Sequence, residues 1–254
     1  MEMTEGIKKY CMKHGFSQCA PLVALFDMDG VLYDSMWNHA ESWHESMKKY
    51  NLDMSKRDAF AFEGMRGVET IQLITARQWG KPVSMEEAEE MYRYKSEVFA
   101  KKIPAGLIPG VHEALQALHE HGVLIGVVTG SGQPTLISRI LDDFNGLVCP
   151  EVIVTATDVT QGKPAPDPYL CGMAKAEAAL LHSGKLATRM RLQPWQVMVV
   201  ENAPLGIKAA AAARCFTVAV NTGPLADDEL TSAGADVVMQ DMDELKESLT
   251  EVIK

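Results

Sequence analysis

Six short apolar runs constrain the fold of this 254-residue chain more strongly than any other feature of its sequence. They lie at residues 22–26, 123–128, 152–155, 197–200, 216–220 and 237–239, and helical patterns alternate with the last five. A continuous apolar run is typical of a strand that is covered on both faces. Strands that alternate with helices form mostly parallel sheets with right-handed crossovers. The sequence therefore predicts an α/β fold around a parallel sheet.

The stretch between the first two apolar runs follows a different pattern. From Met36 through Ala40, Trp43 and Met47, apolar residues recur at helical spacing, and helical stripes continue to about residue 102 without a convincing strand. Residues 103–106 contain a proline and a glycine, which is typical of a linker. We therefore predict a helical cap domain at residues 35–103, here called the cap. It is inserted after the first strand of a core formed by residues 1–34 and 104–254.

Composition limits the partners and the compartment of the chain. The formal net charge of −10 argues against nucleic acid or an anionic membrane as the main partner. The five cysteines are scattered, without paired metal-type spacing, which fits reduced thiols in the cytosol. Neither a signal-peptide pattern nor a membrane-length apolar run is found. We therefore expect a soluble cytoplasmic protein, and nothing in the sequence demands more than a monomer.

Polar residues follow several of the predicted strands. The carboxyl ends of parallel strands share one edge of a sheet, where ligands bind in α/β folds. We therefore expect these polar side chains to lie together. The residues are Asp27 and Asp29 after the first strand, Thr129, Gly130 and Ser131 after the second, Lys163 in the loop after the third, and Glu201 and Asn202 after the fourth.

The chemistry of these side chains predicts a magnesium and phosphate site. Asp27, Asp29, Glu201 and Asn202 offer oxygen atoms, which Mg²⁺ prefers as ligands. Thr129 and the small residues after it offer a hydroxyl and open backbone N–H groups to a phosphate. Two anions 4 Å apart repel by about 4 kcal/mol at an effective dielectric constant near 20. A phosphate therefore needs Mg²⁺ and a cation, here Lys163, to approach the carboxylates.

These motifs resemble those of the haloacid dehalogenase superfamily over nearly the whole chain. Asp27-Met28-Asp29-Gly30 matches its Asp-x-Asp-Gly signature, and Thr129, Lys163 and Glu201-Asn202 match its other three motifs in order and spacing. A cap between the first and second motifs is similar to that of the β-phosphoglucomutase-like and phosphoglycolate phosphatase-like branches. The resemblance implies a Rossmann-like core and phosphoryl-transfer chemistry.

By this resemblance, the two aspartates have separate roles. Asp27 would be the nucleophile and would form an aspartyl-phosphate. Asp29 would act as general acid toward the leaving oxygen and then as general base toward water, with its backbone carbonyl on the metal. Thr129 would hold the transferred phosphoryl group, and Lys163 would bridge that group and Asp27.

The same resemblance implies that Asn202 completes the Mg²⁺ site, with Glu201 in the outer coordination shell. The family usually carries aspartate at the position of Asn202. An amide oxygen still binds Mg²⁺, but we expect a weaker affinity because ligand charge contributes to it. This departure does not exclude activity.

Four residues of the cap are candidates for substrate binding. His39 lies one helical turn before Trp43, where β-phosphoglucomutase-like caps also carry a histidine that faces the site. Glu63 and Arg66 belong to a glycine-containing stretch, residues 63–67, that fits a specificity loop. Lys95 is the fourth candidate, although its charged neighbours also favour a lysine on the surface. For the other three, an ordinary solvated position is an equally good interpretation.

The main functional hypothesis is a Mg²⁺-dependent phosphohydrolase that acts on a small phosphorylated metabolite. A sugar-phosphate mutase is the first alternative, but that branch has a basic residue in the cap loop, whereas this chain has Thr70 there and the acidic Glu63 nearby. Inorganic pyrophosphatase is the second alternative, because a cap-loop glutamate together with Asn202 looks similar to that branch. A non-catalytic phosphometabolite sensor is the third, and the intact Asp27 and Asp29 argue against it.

Overall fold

A six-stranded parallel sheet forms the centre of the computed structural model, which describes residues 2–131 and 134–253. The predicted α/β fold is confirmed, and each of the six predicted strands is present. The strands are β1 Val23–Phe26, β2 Leu124–Val128, β3 Val148–Val154, β4 Val197–Glu201, β5 Phe216–Val220 and β6 Val237–Met239. Their spatial order is β3-β2-β1-β4-β5-β6, and all neighbours pair in parallel.

Eleven α-helices accompany the sheet in the described residues. They are α1 Met3–His14, α2 Met36–Lys49, α3 Lys56–Ala61, α4 Gly67–Trp79, α5 Met85–Ala100, α6 Val111–Glu120, α7 Pro134–Asp143, α8 Asp167–His182, α9 Pro204–Ala212, α10 Asp227–Ala233 and α11 Met242–Ser248. Helices α1 and α10 were not predicted from the sequence. Over the described range, none of the helices is long and apolar enough to cross a membrane.

Side chains of the central strand β1 point into two separate apolar clusters. Ala24 and Phe26 belong to one cluster, and Val23 and Leu25 belong to the other. Because successive residues of a strand face opposite sides, these clusters cover the two faces of the sheet. This double burial explains why the strand sequences are continuous apolar runs rather than alternating ones.

The strand order reverses at β1, and this reversal fixes where a site can form. From β1 the chain continues to β2 and β3 on one side, and then crosses to β4 on the other side. Phe26 is in register with Val127 of β2 and with Val200 of β4. The residues that follow these strands therefore meet at a topological switch point, where open α/β sheets bind ligands.

Helices α2 to α5 lie between β1 and β2 in the chain and contain no strand, as predicted for the cap. Helix α5 begins with a capping box, in which the Glu87 N–H donates to Ser84 Oγ and the Ser84 N–H donates to the Glu87 carboxylate. The apolar cluster of the cap continues into Ile207, Leu225 and Leu230, which follow β4 and β5. The cap therefore packs directly on the core, and its division from the core at residues 35–103 stays a prediction.

Candidate active site

The polar residues predicted from the four motifs lie together at the carboxyl edge of the sheet, and nearly all of their surface is buried. Asp27 follows β1, Thr129 follows β2, and Glu201 ends β4. Relative exposure is 4% for Asp27, 5% for Thr129 and 1% for Glu201, and Asp29, Lys163 and Asn202 are also buried. Charged side chains are almost never this deeply buried without partners. The partners of each one therefore indicate its role.

Lys163 holds two carboxylates at the base of the site. Its Nζ donates to Asp27 Oδ1 at 2.5 Å, to Glu201 Oε1 at 2.6 Å and to the carbonyl oxygen of Val128 at 3.2 Å. Burial alone would lower the pKa of Lys163, but the two carboxylates hold that pKa well above its usual range. Lys163 is therefore a fixed positive charge beside Asp27.

Both carboxylate oxygens of Glu201 accept hydrogen bonds from neighbouring residues. Its Oε1 also accepts a hydrogen bond from the Tyr169 hydroxyl at 2.6 Å, and its Oε2 accepts backbone N–H groups of Asn202 and Ala203 at 3.0 and 3.4 Å. A side chain at Gly206 would overlap the carboxylate, with a Cβ only 1.7 Å from Oε1. The Glu201 oxygens thus hold Lys163, Tyr169 and the backbone that leads into α9, and a contact of Glu201 with the metal stays a prediction.

Two buried oxygen atoms at this edge accept no hydrogen bond from the described residues. They are Asp27 Oδ2 and Asn202 Oδ1. Gly30, with φ of +84°, allows the Asn202 amide to pack on the turn after β1, because a Cβ there would lie 2.0 Å from Asn202 Nδ2. A buried acceptor without a donor is costly unless a cation or water serves it.

The residues present fit a magnesium ion held by few protein atoms. Within residues 2–131 and 134–253, no three side chains of His, Cys, Asp or Glu gather in a metal-binding group. The unpartnered oxygens of Asp27 and Asn202 are instead one carboxylate and one amide donor. Mg²⁺ usually keeps several waters and takes only one or two protein carboxylates. A sparse oxygen set of this kind suits Mg²⁺ better than a metal that needs a complete protein shell.

Asp29 ends a chain of polar contacts that begins at Lys95 in the cap. Lys95 Nζ lies 2.8 Å from His39 Nδ1, and His39 Nε2 lies 3.3 Å from Asp29 Oδ1. Because a protonated lysine can only donate, Nδ1 accepts and the proton of a neutral His39 ring sits on Nε2, facing Asp29. Ser35 Oγ donates to the same Asp29 oxygen at 2.5 Å. The carboxylate is thus oriented from two sides.

These partners set the protonation of the chain. Burial would raise the pKa of Asp29, but His39, Ser35 and the charge of Lys95 hold that pKa below its usual value. Burial and the charge of Lys95 lower the pKa of His39, in spite of Asp29. Burial also lowers the pKa of Lys95 to about 8. Asp29 is therefore ionised at neutral pH beside a neutral imidazole.

A cavity of about 350 Å³ opens between the cap and the core above Asp29. His39, Glu63 and Lys95 line it from the cap, and Gly130 and Ser131 line it from the loop after β2. Burial, with the charges of Asp29 and Asp27, raises the pKa of Glu63 to about 8. The cavity thus brings together most of the predicted substrate-binding residues. A larger groove of about 960 Å³, near the amino end of β3, contains none of them.

The loop after β2 is held in a compact turn. The Ser131 backbone N–H donates to Thr129 Oγ1 at 3.0 Å, and the Thr129 N–H donates to the carbonyl oxygen of Val154 on β3. Thr129 Oγ1 therefore faces the backbone of its own loop, at the edge that Asp27 shares. Gly132, which extends this motif in the sequence, lies outside the described residues.

Two of the cap candidates lie in positions that differ from the sequence interpretation. Lys95 is 3% exposed, so the alternative of a surface lysine is wrong. Arg66 does not line the cavity above Asp29. It donates instead to the carbonyl oxygens of Ala156 and Val159. Ser35 and Tyr169 were not predicted as site residues. They donate hydrogen bonds to Asp29 and Glu201, respectively. Tyr169 follows Pro166-Asp167-Pro168 just after the lysine motif, and this position in the first turn of α8 was the available signal.

Comparison with known proteins places this geometry in a family. The model of the haloacid dehalogenase-like hydrolases matches residues 24–220, which is most of the chain. The chain belongs to the haloacid dehalogenase-like hydrolases. This result confirms the resemblance that was drawn from Asp27-Met28-Asp29-Gly30 and the three later motifs.

Individual relatives narrow the branch of the family. Hexitol phosphatase A of Escherichia coli is 30% identical over 78% of this chain and 82% of its own length. β-Phosphoglucomutase of Bacillus subtilis is 26% identical over 87% of this chain and 90% of its own length. A solved structure of a candidate β-phosphoglucomutase from Bacteroides vulgatus is 38% identical, covers 99% of this chain and 98% of its own, and superposes with a TM-score of 0.88. The two β-phosphoglucomutases confirm the β-phosphoglucomutase-like branch, and the hexitol phosphatase supports a phosphatase of this family.

Proposed function

We propose that this protein is a Mg²⁺-dependent phosphatase that cleaves a small phosphorylated metabolite through an aspartyl-phosphate on Asp27. The observation that carries the proposal is the state of the Asp27 carboxylate. One of its oxygens is fixed by Lys163 at 2.5 Å, and the other is buried without a hydrogen-bond donor. A carboxylate in this state is oriented and only partly neutralised, as a nucleophile requires.

Asp29 is the proposed general acid and base. It lies two residues after Asp27, and a hydrogen bond from Ser35 and a 3.3 Å contact with His39 Nε2 orient its carboxylate. In its ionised form it can accept a proton from the water that attacks the aspartyl-phosphate. In the first half of the reaction it must carry a proton to the leaving oxygen, so a proton has to enter before or with the substrate.

The unpartnered oxygens of Asp27 and Asn202 are the proposed protein ligands of Mg²⁺, with the backbone carbonyl of Asp29 as a third by family resemblance. When bound there, the ion would neutralise the approaching phosphate and stabilise charge on its oxygens. Lys163 adds a second positive charge on the other side of Asp27. Glu201 is proposed as a positioning residue, because it holds Lys163 rather than facing the ligands.

Hydrolysis is favoured over mutase chemistry by the cations of the cavity. A mutase must hold a second phosphate while the intermediate turns over. Lys102 pairs with Glu41 at 3.3 Å, and Arg139 pairs with Asp143 at 3.3 Å. In the described part of the cavity wall, Lys95 alone has no carboxylate partner, and it contacts His39. One lysine in this setting offers little positive charge to a second phosphate, so a substrate with a single phosphoryl group is the first candidate.

Inorganic pyrophosphate is a second candidate substrate, and Lys95 is the observation that favours it. This lysine lies near Asp29, which would protonate the leaving group, and a leaving phosphate carries negative charge that a neutral alcohol lacks. Glu63 faces the same space, and its raised pKa allows it to share a proton there. The two candidate substrates are distinguished by their turnover: a phosphate monoester releases an alcohol, and pyrophosphate releases a phosphate.

A substrate panel with Mg²⁺ tests the proposal. Sugar phosphates, nucleotides, phosphoglycolate and pyrophosphate are assayed for released phosphate and for isomerised product. Phosphate release from at least one compound is the expected result. An isomer without free phosphate would replace the hydrolase by a mutase. Ligand binding without release from any compound would support the sensor.

Metal binding should depend on pH through Asp27. Burial raises the pKa of Asp27 to about 7, although Lys163 opposes that shift. A proton and a metal ion compete for the same carboxylate, so metal affinity falls as the pH drops below that pKa. We expect Mg²⁺ to bind about tenfold more weakly at pH 6 than at pH 8. Isothermal titration calorimetry at the two pH values measures this ratio.

The Asp27→Asn variant is the control for this titration, because its amide does not titrate in this range. Its residual Mg²⁺ affinity should change much less between the two pH values than that of the unmodified protein. Equal affinity of the unmodified protein at pH 6 and pH 8 would remove Asp27 from the metal site.

A further inference from the structure

Arg66 links the cap to the core through backbone atoms. It is the residue before α4, and its Nη2 donates to the carbonyl oxygens of Val159 at 2.5 Å and Ala156 at 3.3 Å. Both acceptors belong to the loop that joins β3 to α8 and later carries Lys163. Hydrogen bonds from a charged donor are stronger than neutral ones. The contact therefore holds together two loops that are 90 or more residues apart in the sequence.

The aliphatic part of Arg66 rests on the same core loop. A Cβ at Gly162 would lie 3.2 Å from Arg66 Cγ, so the absence of a side chain at Gly162 lets the arginine stem approach. Gly162 directly precedes Lys163. Arg66 thus contacts this core loop at three points, and the last of them adjoins the lysine that holds Asp27.

Gly64, in the same loop as Arg66, packs against Lys163 and Gly130 of the core. A Cβ at Gly64 would come within 2.7 Å of Lys163 Cδ, and one at Gly130 would lie 3.4 Å from the Gly64 carbonyl oxygen. Gly64 also has φ of +86°, which disfavours any other residue. In the same loop, Glu63 lines the cavity above Asp29. Close seating of loop 63–67 on the core is therefore what completes the cavity wall.

We propose that Arg66 is a positioning residue that holds loop 63–67 on the core and so maintains the substrate-binding form of the cavity. It contacts neither the cavity nor the oxygens of Asp27, and its influence passes through Gly64 and Glu63. A second cap contact, between Arg57 and Glu229, joins α3 to α10 and does not touch this loop. For the catalytic readout, the inference rests on the proposed phosphatase function.

Removal of the guanidinium should lower the population of the binding-competent form. Apparent affinity falls in proportion to that population, so a tenfold smaller population raises KM about tenfold. Saturating substrate restores the binding-competent form, because it binds that form better. We therefore expect Arg66→Ala to raise KM about tenfold, with kcat within about twofold of the unmodified enzyme. Arg66→Lys, which keeps one donor, should give an intermediate KM.

Two measurements on the full chain test the inference. Steady-state kinetics with p-nitrophenyl phosphate and Mg²⁺ give KM and kcat for both variants. Hydrogen exchange followed by mass spectrometry should show faster exchange at residues 63–67 and 156–162 in Arg66→Ala, and unchanged exchange in β1 and β4. Arg93→Ala is the matched control, because this exposed arginine of α5 makes no side-chain hydrogen bond or ion pair with the described residues and should leave every readout unchanged.

Unchanged KM, or a fall in kcat at constant KM, would overturn the inference, as would unchanged exchange in the two loops. If the unmodified protein does not hydrolyse p-nitrophenyl phosphate, the exchange arm alone decides the role of Arg66. The absence of hydrolysis would then count against the proposed phosphatase function with this probe, independently of the role of Arg66. If Arg66→Ala does not fold, Arg66→Lys carries both measurements.

Discussion

Replacing Asp27 by asparagine is expected to abolish turnover, with a loss of at least about a thousandfold in kcat. Asparagine has the shape of aspartate but cannot form the acyl phosphate, so no later step can proceed. Lys163 keeps its second carboxylate partner, Glu201, at 2.6 Å. The variant should therefore fold, and its circular dichroism spectrum should match that of the unmodified protein. Phosphate release from the best substrate of the panel measures the effect.

Asp142→Asn is the matched control for this experiment. Asp142 is an exposed carboxylate of α7, and its replacement should leave kcat and KM unchanged. Retention of more than a tenth of the activity in Asp27→Asn would show that another group is the nucleophile.

Replacing Lys163 by methionine should have the second large effect, on stability as well as on activity. The lysine is 2% exposed and neutralises two buried carboxylates, Asp27 and Glu201. Removal of one partner from a buried ionic group leaves uncompensated charge and costs about 3–5 kcal/mol of unfolding free energy. Urea denaturation measures this loss. Turnover should fall as well, because Asp27 then lacks its fixed cation.

The origin of the loss can be separated from simple misfit of the new side chain. Adding Asp27→Asn and Glu201→Gln to Lys163→Met removes the unpaired charges and should recover part of the lost stability. Lys56→Met is the control, since its exposed pair with Glu41 at 3.2 Å is worth about 0–1 kcal/mol. A loss below about 1 kcal/mol in Lys163→Met would contradict the account of a buried ionic cluster.

The sheet could be predicted because burial on both faces leaves a direct trace in the sequence. Strands β5 and β6 begin and end where the apolar runs do. Strand β3 begins earlier than predicted, at Val148, because the exposed Pro150 and Glu151 interrupt its apolar pattern. The register with β2 shifts at this point, so local sequence gave no sign of the pairing.

Helices α1 and α10 escaped prediction because they bury little apolar side-chain surface of their own. Helix α1 buries Met3 and Tyr10 with Gly6 between them, and glycine disfavours a helix interior. The glycine is needed for tertiary contact, since a Cβ there would lie 2.1 Å from Val237 Cγ2 on β6. Helix α10 spans seven residues and buries only Leu230 and Ala233. In both cases the helix forms because of its tertiary packing rather than its intrinsic helix propensity.

The motif residues of the site were predictable because each follows a strand whose end the sequence marks. Lys95 was harder to place, because charged residues surround it in the chain. A signal was present, since Ala88, Met91, Lys95 and Val98 form the buried stripe of α5. A lysine on an apolar stripe indicates a buried cation with a partner. The contacts of Arg66 and Glu201 had no such signal, because both depend on loops that meet only in the folded protein.

Chemical trapping of the intermediate is the most direct test of an aspartyl-phosphate on Asp27. The enzyme is mixed with Mg²⁺ and its best substrate, quenched in acid within the first turnover, and digested for peptide mass spectrometry. We expect a phosphate adduct on the peptide that contains Asp27, formed before steady-state phosphate release and absent from Asp27→Asn. An adduct on another residue, or a burst of phosphate without any adduct, would contradict it.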